Sequence, residues 1–349
     1  MKSISLFSGM GGDTLGMKNA GLDVVAFNEI SDIFTQTHLK NFPNSKFLGG
    51  DNKDIKKIPD KDLEEYNDID LIFAGFPCQG FSNAGKKLPS DPRNTLFREF
   101  VRFTKHIKPK YIIGENVKGL LSRKTNDGSN YIDIIVEEFK KLGYNVRFQV
   151  FKTHEYGVPQ KRERLIIIGA KQELNNPLNF PSSVDVDVSL RNIVKFDMEG
   201  TINYDFSELG IPDECIIKDM DNEEESRNPH PYLVSKVNAD LDKRTYQGKS
   251  YDNLMSFSKR DSPIHCEIID IRNPAKTIIC SYDHQPRFFV PIKNKKGTFI
   301  RALLPDELKQ IQGFPADFEI VGNLKQKIVQ IGNAVPPPLV KAVVESLVN

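Results

Sequence analysis

An α/β fold, a doubly wound parallel sheet with a smaller second domain, is predicted from three stretches of the sequence. Residues 3–7 read as a short strand, and the glycine turn Ser8-Gly9-Met10-Gly11-Gly12 leads from it into a helix that stops at Gly21. Strand, glycine turn and helix make the first unit of such a sheet. Leu71-Ile72-Phe73-Ala74 is an unbroken apolar run, the mark of a strand covered on both faces. Strands and helices alternate as far as Gly169, and then the texture changes. From Asn175 to about Lys276 the chain is richer in Asp, Asn, Pro and Ser, with short strand-like pieces, which puts a domain boundary near residues 177–181.

The length of 349 residues also suggests two domains. With 39% hydrophobic and 27% charged residues the chain is expected to be globular rather than disordered. No apolar run approaches the roughly 20 residues that span a bilayer, and no signal peptide precedes the first strand, so a cytoplasmic protein is expected. Cys78, Cys215, Cys266 and Cys280 have the spacing of neither a disulfide framework nor a zinc site. The formal net charge of +1 gives no global sign of nucleic-acid binding, although a basic cleft can be balanced by acidic surface elsewhere.

Taken in order, the first glycine turn leaves backbone N–H groups free at a helix start, where a carboxylate or phosphate can bind. Its glycines do not follow the dinucleotide fingerprint, because Thr14 stands where a glycine is needed. Residues 24–28 form the second strand, and Glu29 at its carboxyl end can accept bonds from both hydroxyls of a ribose. Asp51 and Asp54 follow a third strand, where one of the two could bind the amino edge of an adenine. The apolar strand then ends in Gly75-Phe76-Pro77-Cys78, which places a thiol where open α/β sheets bind ligands. Taken alone, that cysteine is as readily a packed thiol as a nucleophile. Residues 79–94 are too long for a connector and read as a lid.

Leu96, Phe100, Phe103 and Ile107 have helical spacing, and the next strand leads into Glu115-Asn116-Val117, a second carboxylate near the thiol. A helix over residues 131–142 and a strand over 146–151 follow. Arg162 and Arg164, two apart on an extended segment, point to one side. Residues 305–312 form a helix ended by Gly313. The last element is read from Gln330 through Asn333, with the prolines 336–338 opening a helix that carries Leu339, Val343, Val344 and Leu347.

The ordered set Phe7-Ser-Gly-Met-Gly-Gly, Asn28-Glu29, Gly75-Phe-Pro-Cys-Gln-Gly-Phe-Ser, Glu115-Asn-Val, Gln160-Lys-Arg-Glu-Arg, Gln312-Gly-Phe-Pro and Gln330-Ile-Gly-Asn-Ala-Val-Pro resembles the DNA cytosine-5 methyltransferases of bacterial restriction–modification systems. The resemblance spans nearly the whole chain except about residues 175–271. It implies the fold of S-adenosylmethionine-dependent methyltransferases, with a mostly parallel sheet of roughly seven strands. It also implies a catalytic domain over 1–176, a target-recognition domain over 177–322 and a C-terminal segment over 323–349 that returns to the catalytic domain.

The roles it implies are as follows. Cys78 attacks C6 of cytosine, protonated Glu115 bonds the N3 edge, Arg164 holds O2 and Arg162 favours the thiolate. Phe7, Gly9, Gly11, Glu29, Ile30, Asp51 (or Asp54), Pro77, Leu96, Asn333 and Val335 hold S-adenosylmethionine, with Ile30 where relatives often have an aromatic residue. Duplex DNA with a flipped cytosine is met by Gln79, Ser82 and Lys86 of the lid and by Thr277 at a phosphate. Arginines in the small domain suit guanine reading, and Arg260 and Arg287 are expected as base readers with Arg244 and Lys259 at phosphates. A monomer that pairs functionally with a restriction endonuclease of the same specificity is expected. An RNA (tRNA) cytosine methyltransferase is the competing reading, disfavoured because the long 175–271 segment supplies the surface needed to read a duplex.

Overall fold

A computed structural model describes residues 1–50, 53–77, 96–125, 127–237, 244–246, 249–251, 255–259 and 266–348. The first half of the chain runs β1 (Lys2–Leu6), α1 (Gly12–Asn19), β2 (Asp23–Asn28), α2 (Asp32–Asn41), β3 (Lys46–Phe47), β4 (Leu71–Ala74), α3 (Phe97–Ile107), β5 (Tyr111–Asn116), α4 (Tyr131–Lys141), β6 (Tyr144–Lys152), β7 (Gln160–Lys161) and β8 (Glu163–Lys171). Seven of these strands form one sheet in the order β3-β2-β1-β4-β5-β8-β6. All pairings are parallel except those of β8 with β5 and β6. The mostly parallel sheet expected from the sequence is therefore present.

Both faces of this sheet are covered, and β4 shows how. Ile72 and Ala74 face one apolar cluster with Phe100 and Phe103 of α3 and Phe139 of α4. Leu71 and Phe73 face another with Met17 of α1 and Ile166 and Ile168 of β8. The period of two in a strand sends alternate residues to opposite faces, so an unbroken apolar run is what two covered faces require. Helix α3 buries Phe97, Phe100, Phe103 and Ile107 along one stripe and ends at Lys108, which takes the left-handed conformation at φ 54°.

The second half runs β9 (Ile202–Asn203), β10 (Ile217–Asp219), α5 (Pro231–Val237), β11 (Arg244–Tyr246), β12 (Lys249–Tyr251), β13 (Met255–Phe257), β14 (Cys266–Ile268), β15 (Ala275–Lys276), β16 (Phe288–Asn294), β17 (Gly297–Ala302), α6 (Pro305–Ile311), α7 (Leu324–Asn333) and α8 (Pro337–Val348). A second sheet has the order β13-β14-β16-β17-β9, with β10 also paired to β16. The small parallel pair β15–β7 joins this half to the first.

The composition change near Asn175 falls just after β8, yet the chain beyond it still packs on the first sheet. Leu178 and Phe180 still pack with Phe151 and Tyr156, and the Arg147 guanidinium donates to the Leu178 carbonyl at 3.0 Å. Composition follows solvent exposure, whereas packing here depends on a few apolar residues within a polar stretch.

Helix α7 departs from the sequence reading, which began the last element at Gln330. Residues 330–333 are instead the final turn of a helix that starts after Asn323. Asn323 and Gln326 cap that start reciprocally: the Asn323 carboxamide oxygen accepts from the Gln326 N–H at 3.0 Å, and the Gln326 side chain accepts from the Asn323 N–H at 2.9 Å. That spacing was the signal in the sequence. The proline-opened helix α8 begins at Pro337 and buries Leu339, Val340, Val343, Val344 and Leu347 against the α1 face of the first sheet.

Close packing of α1 on α8 depends on Gly16. A Cβ there would lie 2.5 Å from the Val340 Cβ and 2.7 Å from the Pro337 carbonyl oxygen. Gly16→Ala should therefore destabilise the protein by about 1–3 kcal/mol through overpacking, despite the better helix propensity of alanine. Urea unfolding measures this; a stabilised variant would mean that the two helices are free to separate.

Candidate active site

Four parallel strands deliver their carboxyl ends to one place. β1 ends in Phe7, held at φ 57°, and in Gly9 at φ 56°. Glu29 directly follows β2 and Gly75 directly follows β4, whereas β5 carries Glu115 as its fifth residue, inside the strand rather than just beyond it. The point of convergence is the space beside Gly75. A Cβ on Gly75 would lie 3.7 Å from the Phe7 carbonyl oxygen, 3.7 Å from the Val335 Cγ2 and 3.9 Å from the Glu115 Oε2. Val335 comes from the far end of the chain. It can approach because Gly12 has no side chain: a Cβ there would fall 2.1 Å from the Val335 carbonyl oxygen.

Glu29 is buried, and its carboxylate accepts from the Gly9 N–H at 2.9 Å and from the Ser31 N–H at 2.8 Å. Each oxygen retains a lone pair for a further donor. Burial raises its pKa, opposed by these backbone bonds. Ser8 lies between the same strands, and its buried hydroxyl has no partner among the described residues. A polar, glycine-lined cradle with a buried carboxylate and an unpartnered hydroxyl suits a ligand that carries hydroxyls and charge.

Glu115 Oε1 lies 2.7 Å from the Arg164 Nε, with both side chains nearly enclosed. Burial pushes the Glu115 carboxyl up, and the attraction of Arg164 opposes it. One oxygen is thus tied to the arginine, while Oε2 faces the space beside Gly75, where a proton on it can be donated to a ligand. Asn116 completes the turn, its amide donating to the Phe76 carbonyl at 3.1 Å.

Arg162 is turned inward, buried, and donates to the carbonyls of Ile278 at 3.2 Å and Gly332 at 2.9 Å. Its visible work is to tie β7 and β8 to two remote segments. Gln160 does the same: it accepts from the Ile278 N–H at 3.2 Å and donates to Gln312 at 2.6 Å, which donates to the Ala334 carbonyl at 2.5 Å. The sequence reading quoted both glutamines within motifs but assigned them no role.

The other expected residues divide. Cys78, Gln79, Ser82, Lys86, Asp51 and Arg260 lie outside the described residues, and of Arg244 only its backbone in β11 is described. Asp54, one of two candidates for an adenine, is engaged elsewhere: its carboxylate caps a short 3-10 turn by accepting from the Lys56 N–H at 3.1 Å. Ile30 is 67% exposed beside Glu29. Pro77 and Leu96 are half-buried, Asn333 ends α7 exposed, and Gly11 at φ 95° packs on His38 and Phe42. Thr277 and Lys259 are exposed, and the Thr277 hydroxyl donates to the Lys161 carbonyl at 2.9 Å. Arg287 is half-buried, with Nη1 lacking a partner among the described residues.

One buried acid was not anticipated. Asp13, in the first turn of α1, is 2% exposed and accepts from the Ser5 hydroxyl. Burial pushes it up to about 7, and the charge of Glu115 adds to the rise. An acid raised in the folded state above its unfolded value of about 3.9 favours folding below that value and loses the advantage as pH rises through 7. Unfolding free energy should therefore decline between about pH 4 and pH 8. Asp13→Asn should flatten that decline, as measured by chemical denaturation across pH; an identical slope in the variant would contradict the burial of a titrating Asp13.

Comparisons with known proteins agree in one direction. Residues 1–349 match the family described as C-5 cytosine-specific DNA methylase. The chain is 30% identical to the type II methyltransferase M.FnuDI of Fusobacterium nucleatum, over 97% of this chain and 92% of that protein. It is 32% identical to M.Eco47II of Escherichia coli, over 99% of this chain and 78% of that protein. Among solved structures, the DNMT2 of Spodoptera frugiperda superposes with a TM-score of 0.69 at 18% identity, covering 100% of this chain and 99% of that one. The methyltransferase EhMeth of Entamoeba histolytica gives 0.65 at 19% identity, covering 99% and 97%. These two likenesses concern the fold.

Proposed function

The chain belongs to the C-5 cytosine-specific DNA methylase family, and on that premise we propose that it methylates C5 of a flipped cytosine within a specific double-stranded DNA sequence, protecting host DNA in a restriction–modification system. The observation that carries this reading is Glu115, with one oxygen tied to Arg164 and the other facing the space beside Gly75.

Cytosine C5 is a poor nucleophile until a nucleophile adds at C6. Cys78, as thiolate, forms that bond. Protonated Glu115 donates to N3 and neutralises charge developing there, as a buried carboxylic acid can. Arg164 lies beside it to hold O2, and the positive charge of Arg162 favours the thiolate. After methylation the C5 proton leaves to a base and the sulfur–C6 bond breaks, restoring Cys78. S-adenosylmethionine, when bound, supplies the methyl group. Glu29 would accept its ribose hydroxyls, Phe7, Gly9 and Gly11 would line the methionine end, and Asn333 with Val335 would close the site. Ile30, Pro77 and Leu96 would pack the adenine, with Asp51 at its amino group.

A stacked cytosine is out of reach, so the base must leave the duplex. Gln79, Ser82 and Lys86 would meet the DNA as residues 79–94 close over it, and Thr277 would hold a phosphate. We assign catalysis to residues 1–176, target recognition to 177–322 and closure of the cofactor site to 323–349. The protein would act as a monomer, alongside an endonuclease of the same specificity.

Incubation with labelled S-adenosylmethionine tests the reading. Wild-type protein should label duplex DNA; label in RNA alone would sink the DNA reading. Cys78→Ser should abolish transfer while cofactor binding survives, and Glu115→Gln should lower the rate about 100-fold or more. Glu29→Ala should instead weaken cofactor binding. Equal effects of the last two on cofactor affinity would contradict their separate roles.

For specificity, Arg260 and Arg287 would read bases, while Arg244 and Lys259 would contact phosphates. Arg287→Ala or Arg260→Ala should relax discrimination by about 1–3 kcal/mol at one base position. Sequencing of methylated sites decides, and full stringency in both variants would exclude them as readers.

A further inference from the structure

Beside the β7–β15 pair lies a cavity of about 230 Å³ that none of these roles uses. Lys161 and Lys276 line it together with Ser258, Glu267, Asp270 and Asn273. The parallel register sets Lys276 opposite Lys161, and Ala275 opposite the buried Gln160. Alternation along the strands therefore sends both lysines to one face and the glutamine to the other.

Two lysines and two carboxylates line the cavity. Asp270 is held by Arg272 through two bonds, at 2.8 and 2.9 Å. Glu267, whose side chain is 8% exposed, lies 2.5 Å from the Lys276 ammonium, which is 43% exposed. Glu267 thus has Lys276 beside it, whereas Arg272 is shared between Asp270 and Glu214, the latter 3.0 Å away. Lys161 has no acidic partner among the described residues, so its ammonium is open to an external anion. Thr277, next to Lys276, bonds the Lys161 carbonyl on the same exposed edge.

We propose that this cavity seats a phosphate of the DNA backbone, gripped by Lys161 and Lys276, with Glu267 holding Lys276 in position until DNA arrives. The inference rests on the DNA reading above and adds a site to it. The Lys276 ammonium is 43% exposed, so a phosphate that offers charge-assisted bonds to two lysines at once can reach it beside Glu267. Glu267 then serves as an internal stand-in for the phosphate. It keeps the long Lys276 side chain ordered and near the cleft, which lowers the entropy lost on binding.

Binding to a mixed-sequence duplex, titrated by fluorescence anisotropy at several salt concentrations, tests the site. Lys276→Gln should weaken every sequence about three- to tenfold and reduce the slope of log affinity against log salt by about 0.9. Lys276→Arg should restore both, and in turnover the loss should fall on KM for DNA. Glu267→Gln should tighten binding, since it removes the competing carboxylate while keeping the shape. Wild-type protein that places no label on DNA overturns the methylation reading and this substrate with it. Labelled DNA together with an unchanged salt slope in Lys276→Gln, or weaker binding by Glu267→Gln, overturns the phosphate site alone.

Discussion

The arrangement depends on a run of buried amides. Gln160 sits in the connection between the antiparallel strands β6 and β8, Gln312 at the end of α6 and Ala334 between α7 and α8. Their side-chain and backbone bonds join these segments to Ile278 without a charged group. A buried amide left unpaired costs about 1–3 kcal/mol, so each glutamine specifies the position of the next. Arg162 reinforces the junction by donating to carbonyls on two of the joined segments. These bonds help fix the segment that sets Val335 against Gly12, one wall of the space beside Gly75.

That space is enclosed enough to alter acid–base behaviour. Glu29, Glu115 and Asp13 are all buried, and for each burial is the largest influence on the carboxyl, raising its pKa. His38 shows the same physics with opposite sign: stacked 3.6 Å from Phe27, it is pushed down to about 3 and stays neutral. It accordingly pairs with the Thr14 hydroxyl as an uncharged ring. The charge of Glu115 raises Asp13 further, so in this low dielectric ionising one of the two disfavours ionising the other. Arg164 offsets part of this for Glu115, and removing either member of that pair would leave the other charge buried and alone.

The two sheets divide the surface between them. The first presents its strand ends and their glycine turns, which suit small polar ligands. The β7–β15 pair beside the second sheet carries polar side chains, where Thr277 and Lys276 share an edge with Lys161. A formal net charge of +1 conceals this edge, because acidic pairs elsewhere on the chain balance it. Local placement of cations, more than their total, decides whether a chain can meet a polyanion.

Much of the first sheet was legible in the sequence, since its signals are local. An apolar run flanked by Gly75 and Pro77 specifies a two-sided strand, and a carboxylate after a strand specifies its own position at the sheet's end. Helix α7 was missed because its one signal, the Asn323–Gln326 cap, precedes a stretch of mixed polarity. The fate of Asp54 was equally hidden: a carboxylate two residues before an N–H prefers that local bond to a distant ligand. The sequence by itself determined the alternation of strand and helix, the order of the motifs and the chemical types of the site residues. Only the tertiary structure decided that Arg162 faces inward, that Gln160 and Gln312 meet and that Lys276 rests on Glu267. Those contacts join residues up to 170 positions apart; they depend on which faces are buried together, and no local spacing in a chain encodes that.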